Sequence, residues 1–182
     1  MPREIIEVTM PAHPDPRWEY IIGGTDEAGH VLPMSFEALE ALTTEWAAIV
    51  PGEESPEGAL ALLRTARSLF AHAWFDYEFM AVACLVGFQA LEAAFRRLYP
   101  EVKEGTPLRA LVKRAREEEV LPPNIADVAD TGVELRNLMS HPASAAAFTV
   151  GMAAPMLENT HRLVALLLSA AVAREWRLGG PR

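Results

Sequence analysis

The chain has one cysteine, no long apolar run and fewer basic than acidic residues, and each shortage closes off a class of protein. Cys84 can form no intramolecular disulfide, so packing must hold the fold and a reducing interior is the expected compartment. It sits in MAVACLVGF, which reads as core, where a thiol is inert. The longest apolar stretches, FMAVACLVGF and LVALLLSAAVA, fall short of the roughly 20 residues a membrane-crossing helix needs. The opening PREIIEVTM has acids and a proline where a secretory signal is apolar. Together these absences predict a soluble, cytoplasmic protein with no membrane partner. Sixteen Lys and Arg against 25 Asp and Glu leave a formal charge of −9, which excludes a protein that coats nucleic acid by bulk attraction. Any phosphate site must be local.

Familiar catalytic signatures are missing too. No G-x-S-x-G appears. GGTDEAG lacks the Lys-Ser/Thr of a phosphate loop and the third glycine of a dinucleotide fold, so it reads as a hairpin turn. No internal repeat or low-complexity tract is present, and no cofactor is implied.

What the chain does have is helix. Its 182 residues suffice for one main domain, and half of them are hydrophobic, so the chain should fold. Residues 1 to 34 differ in texture: IIEV, WEYII and HVL are short β-like runs, separated by PAHPDP and GGTDEAG. From Ser35 the pattern is helical. Ser35 caps a helix to about Ile49, ended by Pro51-Gly52, and Ser55-Pro56-Glu57 marks the start of a second that stops near Trp74. Asp76 starts a third, whose stripe runs from Met80 to Leu98 and is apolar nearly all round in its first half, which places it centrally. Thr106-Pro107 caps a helix with Leu108, Leu111, Val112 and Ala115 inward. Asn124 caps the next, closed by His141-Pro142, and a last helix runs from about Pro155 to Trp176. Short connections imply antiparallel neighbours. The expected architecture is mainly α: an antiparallel helical bundle over residues 55–178, preceded by a small β-hairpin-like element and the first helix in residues 1–54.

One charge is out of place. At about 100° per residue, Arg136 falls within roughly 20° of the direction of Ile125, on the face that also carries Val128, Ala129, Leu135 and Met139. Asp127, Asp130 and Glu134 lie opposite. A guanidinium keeps its proton, and an unpaired one in an apolar setting costs several kcal/mol, so something must compensate it. The plain solution is an ion pair with an acid such as Glu92, or a stem lying on apolar surface with its head in water. The others are a second subunit or a phosphate. Asn137 follows directly, and His141 ends the same helix.

The run RNLMSH, Arg136 to His141, resembles the Arg-(polar)-x-x-x-His signature of the HEPN superfamily, the higher eukaryotes and prokaryotes nucleotide-binding domains. The resemblance covers about residues 58 to 176: paired helices, the acid-bearing ALEAAFRRLYP, a basic segment, the motif helix and a long closing helix. The first 50 or so residues match nothing in it. It implies a bundle that forms a homodimer, so that two motifs line one cleft, often as a metal-independent endoribonuclease. In that chemistry a 2′-hydroxyl attacks the adjacent phosphate, giving 2′,3′-cyclic phosphate and 5′-hydroxyl ends. Arg136 would stabilise the charge gained by the phosphorane, His141 would act as general base or acid, Asn137 would orient one of these groups, and Glu92 would pair with Arg136. Members often act as toxins or in phage defence, frequently beside a neutralising antitoxin or nucleotidyltransferase-like partner. Seven of the sixteen basic residues lie between Arg96 and Arg116, and Arg109, Lys113 and Arg116 form a stripe at i, i+4 and i+7. Such a stripe is either a solvated face or a track for an RNA backbone.

Two further readings compete. Glu158-x-x-His161 has the spacing of a di-iron bundle protein, but such sites need two such pairs and there is one, so His161 is expected at the polar edge of the closing helix and no metal is expected. His13, His30 and His72 have no partner spacing and read as surface or structural. The other is a catalytically silent HEPN-like dimer that serves as a binding or regulatory module.

Overall fold

In a computed structural model of the chain, residues 13–50, 58–139 and 148–177 are described. Within the helix over 123–139 this leaves out the side chains of residues 124, 126, 128, 131, 135, 136, 138 and 139. The expected cap at Ser55 and the helix stop at His141-Pro142 lie outside the described residues.

Local hydrogen bonding sets the N-terminal end. Asp15 accepts from the Arg17 amide and starts a 3-10 turn over Pro16–Tyr20, so WEYII, expected to be β-like, is strand only at its last residue, Ile22. The turn buries Trp18, whose Nε1 donates to the Ala73 carbonyl at 2.9 Å. Strands β1 (Ile22–Thr25) and β2 (Val31–Pro33) then pair antiparallel, Ile22 with Pro33, Gly24 with Leu32 and Thr25 with Val31. GGTDEAG is the hairpin turn it was expected to be: the Asp26 carboxylate accepts from the amides of Ala28 and His30.

Six helices follow among the described residues: α1 (Phe36–Ile49), α2 (Ala59–His72), α3 (Phe79–Leu98), α4 (Leu108–Glu117), α5 (Pro123–Met139) and α6 (Val150–Arg177). Ser35 caps α1 as predicted, accepting from the Ala38 amide at 3.2 Å. α4 buries the four residues expected. Some boundaries differ. α3 begins at Phe79, after Asp76 has accepted from the Glu78 amide in the preceding turn, and α5 begins at Pro123, the N-terminal position where a missing N–H is harmless. α6 starts at Val150 with Pro155 inside it, so the proline does not mark its beginning. α4 ends in a Schellman arrangement, with the Val120 amide on the Ala115 carbonyl and the Glu119 amide on that of Arg116. Its left-handed position, usually glycine, holds Glu119 at φ 55°.

α3 is the centre of the bundle and touches α2, α4, α5 and α6. Its 20 residues reach spanning length, beyond the ten-residue run visible in the sequence, but the face from Met80 to Leu98 is buried against other helices. Gly87 lets α6 approach: a Cβ there would lie 3.0 Å from Leu157 Cδ2. One core cluster joins the second half of α3 to α4, α5 and the end of α6. The other joins Trp18, Met34, Leu39 and Trp46 to Phe70, Met80, Cys84 and Leu157. Residues on both sides of the expected boundary at 54 therefore share a core. Burial pushes the Cys84 thiol up to about 12, the inert state expected of it.

Candidate functional site

The candidate site is the C-terminal end of α5, and the burial along that helix follows from its spacing. Ala129, Gly132 and Val133 are buried, Ile125 is half-buried, and Gly132 lies against the Phe88 ring of α3. Along the helix, position 136 continues this row, about 20° from the direction of 129. The side chain of Arg136 lies outside the described part of α5, and His141 lies outside the described residues altogether. Asn137, the next residue, is exposed.

Glu92 is half-buried on α3 and engaged there. Its Oε1 accepts from Arg96 Nη2 at 2.6 Å and Nε at 3.2 Å, and Arg96 Nη2 also reaches the Thr106 carbonyl at 3.2 Å. This carboxylate ties α3 to the loop leading into α4.

The basic stripe of α4 meets the acids of α5, which the sequence placed opposite Arg136. Arg116 Nη2 bonds Asp127 at 2.9 Å and Asp130 at 2.7 Å, and Arg109 Nη2 bonds Glu134 at 3.2 Å. Lys113 faces Glu117 of its own helix at 3.7 Å. These are exposed pairs, each worth about 0–1 kcal/mol, yet they neutralise the stripe locally. A cavity of about 570 Å³ beside them is lined by Arg116, Glu119, Leu121, Pro122, Pro123 and Asp127, one cation against two carboxylates, which disfavours a phosphate there.

His161 overturns its expectation. It is fully buried, not at a polar edge. Nδ1 lies 2.7 Å from the Leu157 carbonyl, which can only accept, so Nδ1 carries the proton. Nε2 is then the acceptor for Arg67 Nη1 at 3.2 Å, and the Trp46 ring centroid is 5.8 Å away. The neutral imidazole thus links α1, α2 and α6. Glu158 pairs with Arg162 at 2.6 Å, and among the described residues no group of three or more His, Cys, Asp or Glu is placed to hold a metal. Sequence reasoning missed Arg67, although its spacing from Leu63 and Phe70 puts it on the inner side of α2 by the same argument that singled out Arg136.

A second polar cluster also went unread. Tyr99 is buried, with the guanidinium of Arg114 4.3 Å and that of Arg174 5.1 Å from its ring centroid. Glu101 and Glu118 each bridge both arginines, at 2.7 and 3.3 Å and at 2.7 and 3.0 Å, closing a four-membered ring of charges. The Tyr99 hydroxyl has no hydrogen bond of good geometry, and burial, then the nearby Glu118 charge, push the phenol up to about 12. This ring joins the ends of α4 and α6 to the α3–α4 loop. Its charges are matched, so it reads as a structural clamp.

No family model, no curated protein and no solved structure matches the chain.

Proposed function

We propose that this chain is a metal-independent endoribonuclease of HEPN type that acts as a homodimer, with RNA held between two copies of the α5 end. One observation carries the reading: a helix that buries Ala129, Gly132 and Val133 continues that row to an arginine and follows it with the exposed Asn137, in a mainly helical bundle whose sequence runs on to His141. The 2′-oxygen attacks phosphorus, the bond to the 5′-oxygen breaks, and one proton leaves the nucleophile while another reaches the leaving group. Two copies supply two histidines for these transfers. Arg136 neutralises the charge gained by the phosphorane, and Asn137 orients a phosphate oxygen or a catalytic side chain. Glu92 serves as a positioning residue, because Arg96 already occupies one of its oxygens.

A second reading, a silent dimeric binding module of the same fold, is favoured by the ion pairing of Arg109 and Arg116, which leaves the α4 stripe less charge for an RNA backbone. End-labelled single-stranded RNA incubated with the protein in EDTA separates the two. The expected result is cleavage to 2′,3′-cyclic phosphate ends, lost in Arg136→Ala and in His141→Ala with unchanged melting temperature. Intact RNA with the wild-type protein would overturn the nuclease reading and leave the module. Cleavage abolished by the chelator would overturn metal independence.

A further inference from the structure

The β1–β2 ribbon is firmly held at its base and bare above it. At the base, Trp18 is bonded to Ala73, the Met34 amide to the Ile21 carbonyl at 2.8 Å, and the Asp15 amide to the Trp74 carbonyl at 2.8 Å. Arg17 fastens Asp15 to Glu78, at 2.8 and 2.7 Å. Beyond this anchor every residue of both strands is exposed. Tyr20 is 85% exposed, Ile22 65%, Val31 60% and Leu32 45%, half of the eight large exposed hydrophobic residues among the described ones. Paired residues share a face, so the register puts Ile22, Thr25, Val31 and Pro33 on one side of the ribbon and Leu32 on the other. A two-stranded ribbon is marginal alone in water, and among the described residues no further strand pairs with either edge.

The two edges differ. β2 ends in Pro33, which has no N–H to offer. β1 carries Gly23 and Gly24, which present no side chain to an approaching backbone. Charge selects among occupants. Residues 13–37 hold Asp15, Glu19, Asp26, Glu27 and Glu37 against Arg17, whose guanidinium is already bonded to two carboxylates. A second copy of the same ribbon would bring like charges together, whereas a basic strand would meet Glu19 and Glu27, both exposed.

We infer that the open edge of β1 is a docking site for an extended segment of a partner protein, with apolar residues alternating with lysine or arginine. Backbone hydrogen bonds to β1 supply affinity, the apolar side chains extend the face of Ile22 and Val31, and the basic ones answer the surrounding carboxylates.

A labelled peptide, acetyl-Lys-Val-Lys-Val-Lys-Val-Lys-amide, tests this by fluorescence anisotropy on the full chain. It should bind at least about ten times more tightly than its glutamate counterpart, and an Ile22→Lys, Val31→Lys double variant or alternate N-methylation of the peptide should weaken it by about ten-fold or more. Both substituted positions are exposed, and an unchanged melting temperature verifies the fold. Equal binding of the glutamate peptide, or binding indifferent to the double variant, would overturn the inference. So would sedimentation showing a wild-type dimer that the double variant converts to monomer, because the occupant would then be a second copy.

Discussion

Replacing His161 by phenylalanine tests the least expected feature of the fold. Phenylalanine keeps a ring beside Trp46 and removes both nitrogens. The Leu157 carbonyl loses little, because it remains on the helical ladder of α6. The Arg67 guanidinium loses the acceptor at 3.2 Å. A hydrogen bond to a charged group contributes about 1.5–3 kcal/mol, and the extra apolar character of phenylalanine offsets part of that. Arg67 is half-buried and makes a further interaction, which lowers the cost again. The expected net destabilisation is about 1–2 kcal/mol, or a melting-temperature drop of about 2–8 °C for a chain of this size. Urea unfolding of wild type, His161→Phe, Arg67→Met and the double variant closes a thermodynamic cycle, with an expected coupling of at least about 0.5–1 kcal/mol. Nitrogen chemical shifts at neutral pH should show His161 protonated on Nδ1 and bare on Nε2. Wild-type stability in His161→Phe together with zero coupling would refute the linkage of α1, α2 and α6 through this imidazole.

Two further substitutions probe the backbone and the acid side of stability. Asp15 accepts from the amides of Arg17 and Tyr77 and from the Arg17 side chain, and the Arg17 guanidinium holds its carboxyl well below the usual range. A depressed folded pKa means that this stabilisation is complete above the unfolded value, about 4, and is lost as pH falls below it. Asp15→Asn should therefore cost about 1–2 kcal/mol at pH 7 and flatten the loss of stability below pH 4, as followed by circular dichroism. Glu119→Gly should raise stability by up to about 1 kcal/mol, because glycine accepts the left-handed conformation at φ 55° without the Cβ penalty. An unchanged or lowered urea midpoint would show that the glutamate side chain offsets its own strain.

Much of the fold was legible in the sequence because its cause is local. The Ser35 cap, the inward residues of α4 and the turn at Asp26 depend on groups within four residues of one another, and the central place of α3 followed from its apolar composition. Boundaries slipped where proline was read as a start. Pro155 is the sixth residue of α6, past the four N-terminal positions whose N–H groups have no helical partner, so it leaves the Gly151 carbonyl without its ladder donor and the helix nonetheless runs through it.

The sequence by itself determined that the chain is mainly helical and that Cys84 is core, because periodicity and residue chemistry act within a single helix. Only the tertiary structure decided which charges meet. Arg116 found Asp127 and Asp130, Arg67 found the buried His161, and Arg174 closed a ring across 73 residues of chain to Glu101. The spacing of a charged residue gives the direction it leaves its own helix. Which partner waits there depends on how helices distant in sequence pack, and no local pattern carries that information.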